Sequence, residues 1–439
     1  MNYSFIQDIG LVSILLFLGF AIRFHIKFLQ KLFIPVSIIT GVLALFLGNN
    51  GFDLLPFSEQ IGSYPGIMIS FLFGALPFTF EMKKDRSREF QKSIFQIGSL
   101  TAIILLLQWG IGLLFSMTIL QLVFPEINQN FGSVLAAGFF GGHGTAAALG
   151  DSFTNNLNWE EGQSLAMTSA TFGVFAATIG GVIWIQWGVS KNETVFLKQF
   201  QDLPKSLKTG LIPLEEQRSI GKSTFSNITV DPLLMHIMIV VFVGISGIYL
   251  TMWTKPLLLG FSIPSFSFSF IVGIIIKQTF SRIRMNSYFD TQLMNRVCGI
   301  FADLIVIFGI ASINVSVVIQ FALPLVILFI VGVILSIFLF MRLGSKVFTS
   351  FWFEKSIFLW GMSLGVTAIG IALLRMVDSE GESETLPNFA IGYIGVTPLE
   401  ITCLVSFPIL ASQGYQWYFT LSCILCALLF YYLLTKIGK

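Results

Sequence analysis

Apolar runs long enough to cross a bilayer recur from one end of this chain to the other, and no other feature restricts its fold as much. They fall at about residues 5–22, 32–47, 65–80, 93–124, 164–187, 233–253, 257–276, 298–313, 315–341, 389–411 and 418–434. Inside hydrocarbon every backbone N–H and C=O must be satisfied by the protein itself, so a spanning segment is a helix or part of a closed barrel. Continuous runs of this length, without apolar/polar alternation, fit helices of roughly 20 residues. Composition agrees: 55% of the 439 residues are hydrophobic and 11% charged, against roughly 25% charged in soluble domains. The chain is read as an all-α polytopic membrane protein. A net charge of +2 gives no clustered basic face for nucleic acid, so the partners expected are the lipid bilayer, ions and small solutes. The first run has no basic segment before it and no small-residue cleavage site, so it is expected to remain as a spanning helix. Cys298, Cys403, Cys423 and Cys426 sit in or beside apolar runs and read as small core side chains; Cys423 and Cys426, a turn apart, are close enough to meet.

One segment breaks the pattern. Gly141-Gly142-His143-Gly144-Thr145 carries three glycines in five residues, and each costs about 1 kcal/mol relative to alanine in a helix interior. In a membrane such a turn is tolerated where it is buried in protein or lines a watery cavity, the setting of many substrate and ion sites. The plainer alternative is a glycine kink that lets two helices pack closely. Gly142 is expected at positive φ, where a β-branched side chain cannot follow. A second glycine-interrupted segment runs over 357–374.

Basic residues give an orientation. Arg23, Lys27 and Lys31, then Lys83, Lys84, Arg86, Arg88 and Lys92, then Lys191, Lys198, Lys205, Lys208, Arg218 and Lys222 lie in alternate loops. Lys277, Arg282, Arg284, Arg296, Arg342, Lys346, Lys436 and Lys439 keep the alternation if each glycine-rich segment enters and leaves on one side. Only Lys255 then lies outside, while Lys355 and Arg375 flank the second segment, as the positive-inside rule asks. This gives eleven spans in a plasma membrane, with the amino terminus outside and the carboxyl terminus in the cytoplasm. A first hairpin near 132–160 dips in from outside and a second near 348–378 from inside. Pro35 and Pro264 lie 229 residues apart, and Gly142 and Gly361, taken to head the two turns, 219 apart. Such offsets across an odd number of spans describe an inverted-topology repeat: residues 1–190, a cytoplasmic linker over 191–231, and 232–439 with an extra carboxyl-terminal helix.

The sequence GGHGTAAA (141–148), followed by ATFGVFAATIGG (170–181), FIPVSIITG (33–41) and FLFGALPFTFEMKKDRSREF (71–90), resembles the sodium:glutamate symporter family. The resemblance implies a Na+-coupled secondary transporter of glutamate or a related small carboxylate. It also implies two inverted five-helix repeats, each with a re-entrant glycine-rich hairpin, and a homodimer in which a hairpin-bearing domain slides like an elevator against a scaffold. Three features depart from the family pattern: a second turn reading Gly361-Met362-Ser363-Leu364-Gly365-Val366-Thr367-Ala368 without proline, Asp303 inside a span, and the extra last span.

The substrate site is placed at Gly141, Gly142, His143, Gly144, Thr145, Ser363, Gly365, Thr367 and Arg375. Glycines bare backbone N–H and C=O groups, and short helices aim their amino ends at an anion and their carbonyls at a cation. Thr145 and Thr367 offer hydroxyl oxygens to Na+, a hard cation; Thr145 also reads as a helix N-cap. His143 reads as a donor to a carboxylate or a proton-sensitive switch, or as a structural tie to a carbonyl. Asp303 is a Na+ ligand, alone or with Thr367, or a protonatable carrier, because a bare charge inside a span is costly. Arg375 suits a bidentate carboxylate contact or a surface pair with Asp378 at i+3. Glu400 ranks behind Asp303, because Pro398 beside it suggests a local break with water access. His236 reads as interfacial. No cofactor motif is present, and Na+ is the coupling ion expected. The sequence has no HExxH, and its one GxSxG match, Gly361-Met362-Ser363-Leu364-Gly365, lies inside an apolar run with no base identified to face the serine, which speaks against an intramembrane hydrolase. Paired inverted hairpins fit alternating access better than a passive channel.

Overall fold

The computed structural model describes residues 4–31, 34–79, 88–197, 211–217, 219–226, 228–256, 265–378 and 381–437. Pro264, the linker residues Lys198, Lys205, Lys208 and Arg218, Lys83, Lys84 and Arg86 of an earlier loop, and Lys439 lie outside them. Among the described residues there are helices and turns and no strand.

The first half runs α1 (Ser4–His25), α2 (Val36–Leu47), α3 (Tyr64–Ala75, lengthened by 3₁₀ turns to Glu59–Thr79), α4 (Arg88–Phe115, continued through a π turn at Ser116–Leu120), α5 (Ser133–Gly138), α6 (Gly142–Leu157) and α7 (Glu161–Ser190). The second runs α8 (Pro232–Thr254), α9 (Ser265–Arg282), α10 (Thr291–Ala311), α11 (Ala322–Phe338, continued through a π turn at Leu339–Gly344), α12 (Trp352–Leu364), α13 (Thr367–Val377), α14 (Thr385–Ser412) and α15 (Gln416–Ile437). Local chemistry sets several starts. The Asp231 carboxylate accepts from the N–H groups of Leu233 and Leu234, with Pro232 at the first helical position, where its missing N–H costs nothing. Asp290 caps α10 through Leu293 N–H.

Nine helical segments among the described residues are long and apolar enough to cross a membrane, against the eleven expected. α2 falls short because Pro35 stands at its start and Gly48 ends it after 12 residues, about 18 Å of rise. α9 begins only where the described residues resume.

The helices pack in two groups. α1, α2 and α3 pack with α8, α9 and α10, while α4 to α7 pack with α11 to α15. Each half of the chain thus contributes three helices to one group and then a long helix, a short helix pair and another long helix to the other. α6 is the main bridge, touching α3 and α10 on one side and α7 and α14 on the other. Among the described residues, Gln163 donates to Gly62 O (2.8 Å) and Asn314 N–H to Ser164 Oγ (3.1 Å) across the boundary, and Lys255 stands in electrostatic reach of Asp151.

The four cysteines are free; Cys423 has both Cys403 of the neighbouring α14 and Cys426 beside it. His236 is fully buried, its Nδ1 bonded to Pro232 O and its Nε2 accepting from Asp290 N–H, which ties the starts of α8 and α10 together.

Candidate functional site

The two short helix pairs lie in one group and are anchored at opposite ends of α4 and α7. The first, α5–α6, has its base at the end of α4 and the start of α7. The second, α12–α13, has its base at the other ends of those helices: Glu354 accepts from Val195 N–H just past α7 (2.7 Å), Trp352 donates to Glu193 (3.0 Å), and Lys355 Nζ donates to Ser93 Oγ near the start of α4 (3.0 Å). Glu354 and Lys355 are both buried, and Asn388 also donates to Ser93 Oγ.

Their tips meet. Gly142 has φ 61°, the left-handed region where glycine carries no penalty. A side-chain carbon there would stand 2.6 Å from Val366 Cγ1 and 3.0 Å from Gly365 O. The second break lies at Gly365, which has φ −116° and ψ −105°, and at the extended Val366. It does not lie at Gly361, which stays in the last turn of α12 and packs on Gly370. The equivalent turn is therefore four residues later than the glycine spacing suggests, because Gly361 serves helix contact rather than the break. The middles of two long helices hold the tips. On α7, Gly173 lets Leu364 O approach where any side chain would collide, and Ala177 Cβ lies 3.2 Å from a carbon placed on Gly365. On α4, Gln108 Nε2 donates to Ser363 O (2.9 Å) while its Oε1 has no partner.

His143 is 1% exposed. Its Nε2 lies 3.1 Å from Thr171 Oγ1, and that hydroxyl donates to Met167 O (2.9 Å). Thr171 has one proton to give and spends it on Met167 O, so Nε2–H of His143 donates to the Thr171 oxygen. Its Nδ1 is left as a buried acceptor without a partner. Thr145 does not cap α6; Gly141 holds that position and the Thr145 side chain fills the space beside it. Gly144 faces Ile69 of α3 across the group boundary. Ser363 is buried and Thr367 exposed.

The remaining candidates stand apart. Arg375 is exposed and eight residues beyond Thr367, about 12 Å along the helix axis. Asp378 accepts from the N–H groups of Glu382 and Ser383 (2.9 Å each), closing the loop after α13. Asp303 is an exposed residue of α10, in the other group, with Ser37 of α2 beside it. Glu400, a buried acid of the hairpin-bearing group at 8% exposure, accepts from the Tyr393 hydroxyl on the same face of α14. Among the described residues no cluster of three or more His, Cys, Asp or Glu side chains forms a metal site.

A cavity of about 480 Å³ lies between the two groups, lined by Gly66 of α3, Ala147, Asp151 and Asn155 of α6, Gln163 of α7 and Lys255 just past α8. Ala147 lies five residues along α6 from the tip glycine, so the cavity reaches within about 8 Å of rise of the tips.

The sequence model of the family described as sodium/glutamate symporter matches residues 1–372. The chain belongs to the sodium/glutamate symporter family. It is therefore a member of a transporter family, and its hairpin tips, α4 and α7 all fall inside the match. α14 and α15, with Tyr393 and Glu400, follow it. No curated protein and no solved structure matches this symporter-family chain.

Proposed function

We propose that the protein is a Na+-coupled symporter of glutamate or a closely related small carboxylate, working by elevator-type alternating access, with the substrate bound where the two hairpin tips meet. The observation that carries this reading is the contact of Gly142 with Gly365 and Val366 between the middles of α4 and α7. Two helix breaks at one point bare N–H and C=O groups that can take an anion and a cation side by side. Gly141, Gly142, Gly144, Ser363 and Gly365 supply backbone, and Thr145 and Thr367 supply hydroxyl oxygens for Na+. The free Nδ1 of His143 suits the ammonium group of an amino acid.

Each half of the chain then supplies five crossings and one re-entrant hairpin. An odd count inverts the second half relative to the first. The division into two helix groups favours sliding of the hairpin-bearing group against the other. In this reading the exposed apolar face of the smaller group carries a homodimer contact. The amino terminus and Lys255 lie outside and the carboxyl terminus lies in the cytoplasm of a plasma-membrane protein. Asp303 is a coupling residue on the stationary side, and Arg375 steers carboxylates.

Thermal unfolding of the purified protein with glutamate and other carboxylates, each in Na+ and in choline, tests the site. A ligand that binds only the folded state raises its stability by RT ln(1 + [L]/Kd). The proposal expects stabilisation by a carboxylate in Na+ that is lost in choline. Equal effects in both salts would overturn it.

A further inference from the structure

α4, α11 and α15 leave a cavity of about 310 Å³ between them, walled by Leu107 on α4, by Leu428 and Tyr431 on α15, by Phe338 and Arg342 on α11 and by Lys346 in the turn that follows it. Its walls are otherwise apolar and no acidic side chain lines it. α4 and α15 lie side by side with Ile424 against Gly110, and α15 then descends past Leu428 and Tyr431 toward the basic end of α11. Phe338, Leu428 and Tyr431 are each more than 40% exposed, so the cavity is open along its side to whatever surrounds the helices. The π turn at Leu339–Gly344 takes up an additional residue. Phe338, Arg342 and Lys346, four apart, all reach the same groove.

A membrane span ending in two cations above an apolar groove has the chemistry of an anionic phospholipid site. A guanidinium takes a phosphate through two parallel N–H bonds. Basic pockets between spans on the cytoplasmic side hold anionic head groups, and a tyrosine ring sits well at head-group depth. We propose that this groove binds one anionic phospholipid, its phosphate on Arg342 and Lys346 and an acyl chain along Leu107, Phe338 and Leu428. The volume is at the small end of ligand cavities, roughly 300 to 1,000 Å³, and suits a single chain. α15 lies outside the family match. The lipid fastens this helix to the group that carries the hairpins.

The test uses the full-length protein in detergent, stripped of lipid and reloaded with phosphatidylglycerol, with phosphatidylcholine or with inorganic phosphate alone, and read by native mass spectrometry. One phosphatidylglycerol per chain is expected to be retained in preference to phosphatidylcholine, and excess inorganic phosphate is expected not to displace it. The double variant Arg342→Gln, Lys346→Gln should weaken retention about 30-fold, from the contribution of each basic residue at an anionic surface. Leu428→Trp, which fills the groove and keeps both cations, should displace the lipid as well. Equal retention of the two lipids by the unaltered protein overturns the site. So does full retention of phosphatidylglycerol by either variant, and so does displacement by inorganic phosphate alone, which would reduce the cations to an ion site.

Discussion

Replacing Gly142 by valine puts a β-branched side chain on a residue held at φ 61°. The left-handed backbone costs an L-residue about 1–2 kcal/mol. The new carbon would also stand 2.6 Å from Val366 Cγ1 and 3.0 Å from Gly365 O, an overlap of the kind that costs about 1–3 kcal/mol in a packed interior. The sum, about 2–5 kcal/mol, acts at the contact between the hairpins, and the cheapest relief is for the tips to part. Set against a total stability of about 5–15 kcal/mol, this leaves the bundle folded. The population in which the tips meet falls by about 30-fold to several thousandfold. Uptake of labelled glutamate into proteoliposomes should therefore be lost in Gly142→Val while the purified variant still unfolds cooperatively. Gly10→Ala is the control: a Cβ there meets nothing within 4 Å, and alanine gains about 1 kcal/mol in a helix. Full uptake by Gly142→Val, or an equal loss in Gly10→Ala, would refute the reasoning.

Glu400→Gln keeps the shape of the buried acid and its bond from Tyr393 but removes the charge, and Na+-driven accumulation is expected to fall about tenfold, equivalent to about 1.4 kcal/mol of coupling; unchanged accumulation would make Glu400 a structural acid. In Asp303→Asn the Na+ concentration for half-maximal uptake should rise while the pH profile keeps its shape, and unchanged Na+ dependence would remove Asp303 from the coupling pathway. In a background without native cysteines, Asn50→Cys should react with an impermeant maleimide from outside and Glu215→Cys only from the cytoplasm; the opposite pattern would invert the orientation.

The class of fold was legible because hydropathy is a property of long segments, and single substitutions or turns do not disturb it. The position of the first turn was legible too, since Gly142 needs a backbone that only glycine adopts freely. The second turn was misplaced by four residues: Gly361 and Gly365 look alike in sequence, and only packing separates a helix-contact glycine from one at a break. The surroundings of the acids were not legible for a related reason. Asp303 and Glu400 both interrupt apolar runs, but which face of a helix is covered depends on neighbours far away in the chain. Asp303 lies exposed beside Ser37, and Glu400 is buried with Tyr393. Gln108 did carry a signal, as a polar residue in the middle of an apolar run, yet its bond to Ser363 O spans 255 residues of sequence. The buried Glu354 and Lys355 were legible only as charges near a hairpin, and their ties to Val195 and Ser93 come from the fold.

The most direct test of the central claim is counterflow of labelled glutamate in proteoliposomes preloaded with unlabelled glutamate, run in Na+ and with Na+ replaced by choline at constant pH. A Na+-coupled carrier whose site lies at the hairpin tips predicts a transient accumulation of label in Na+ that disappears in choline and in Gly142→Val. Label that only equilibrates, or that accumulates equally well in choline, would contradict it.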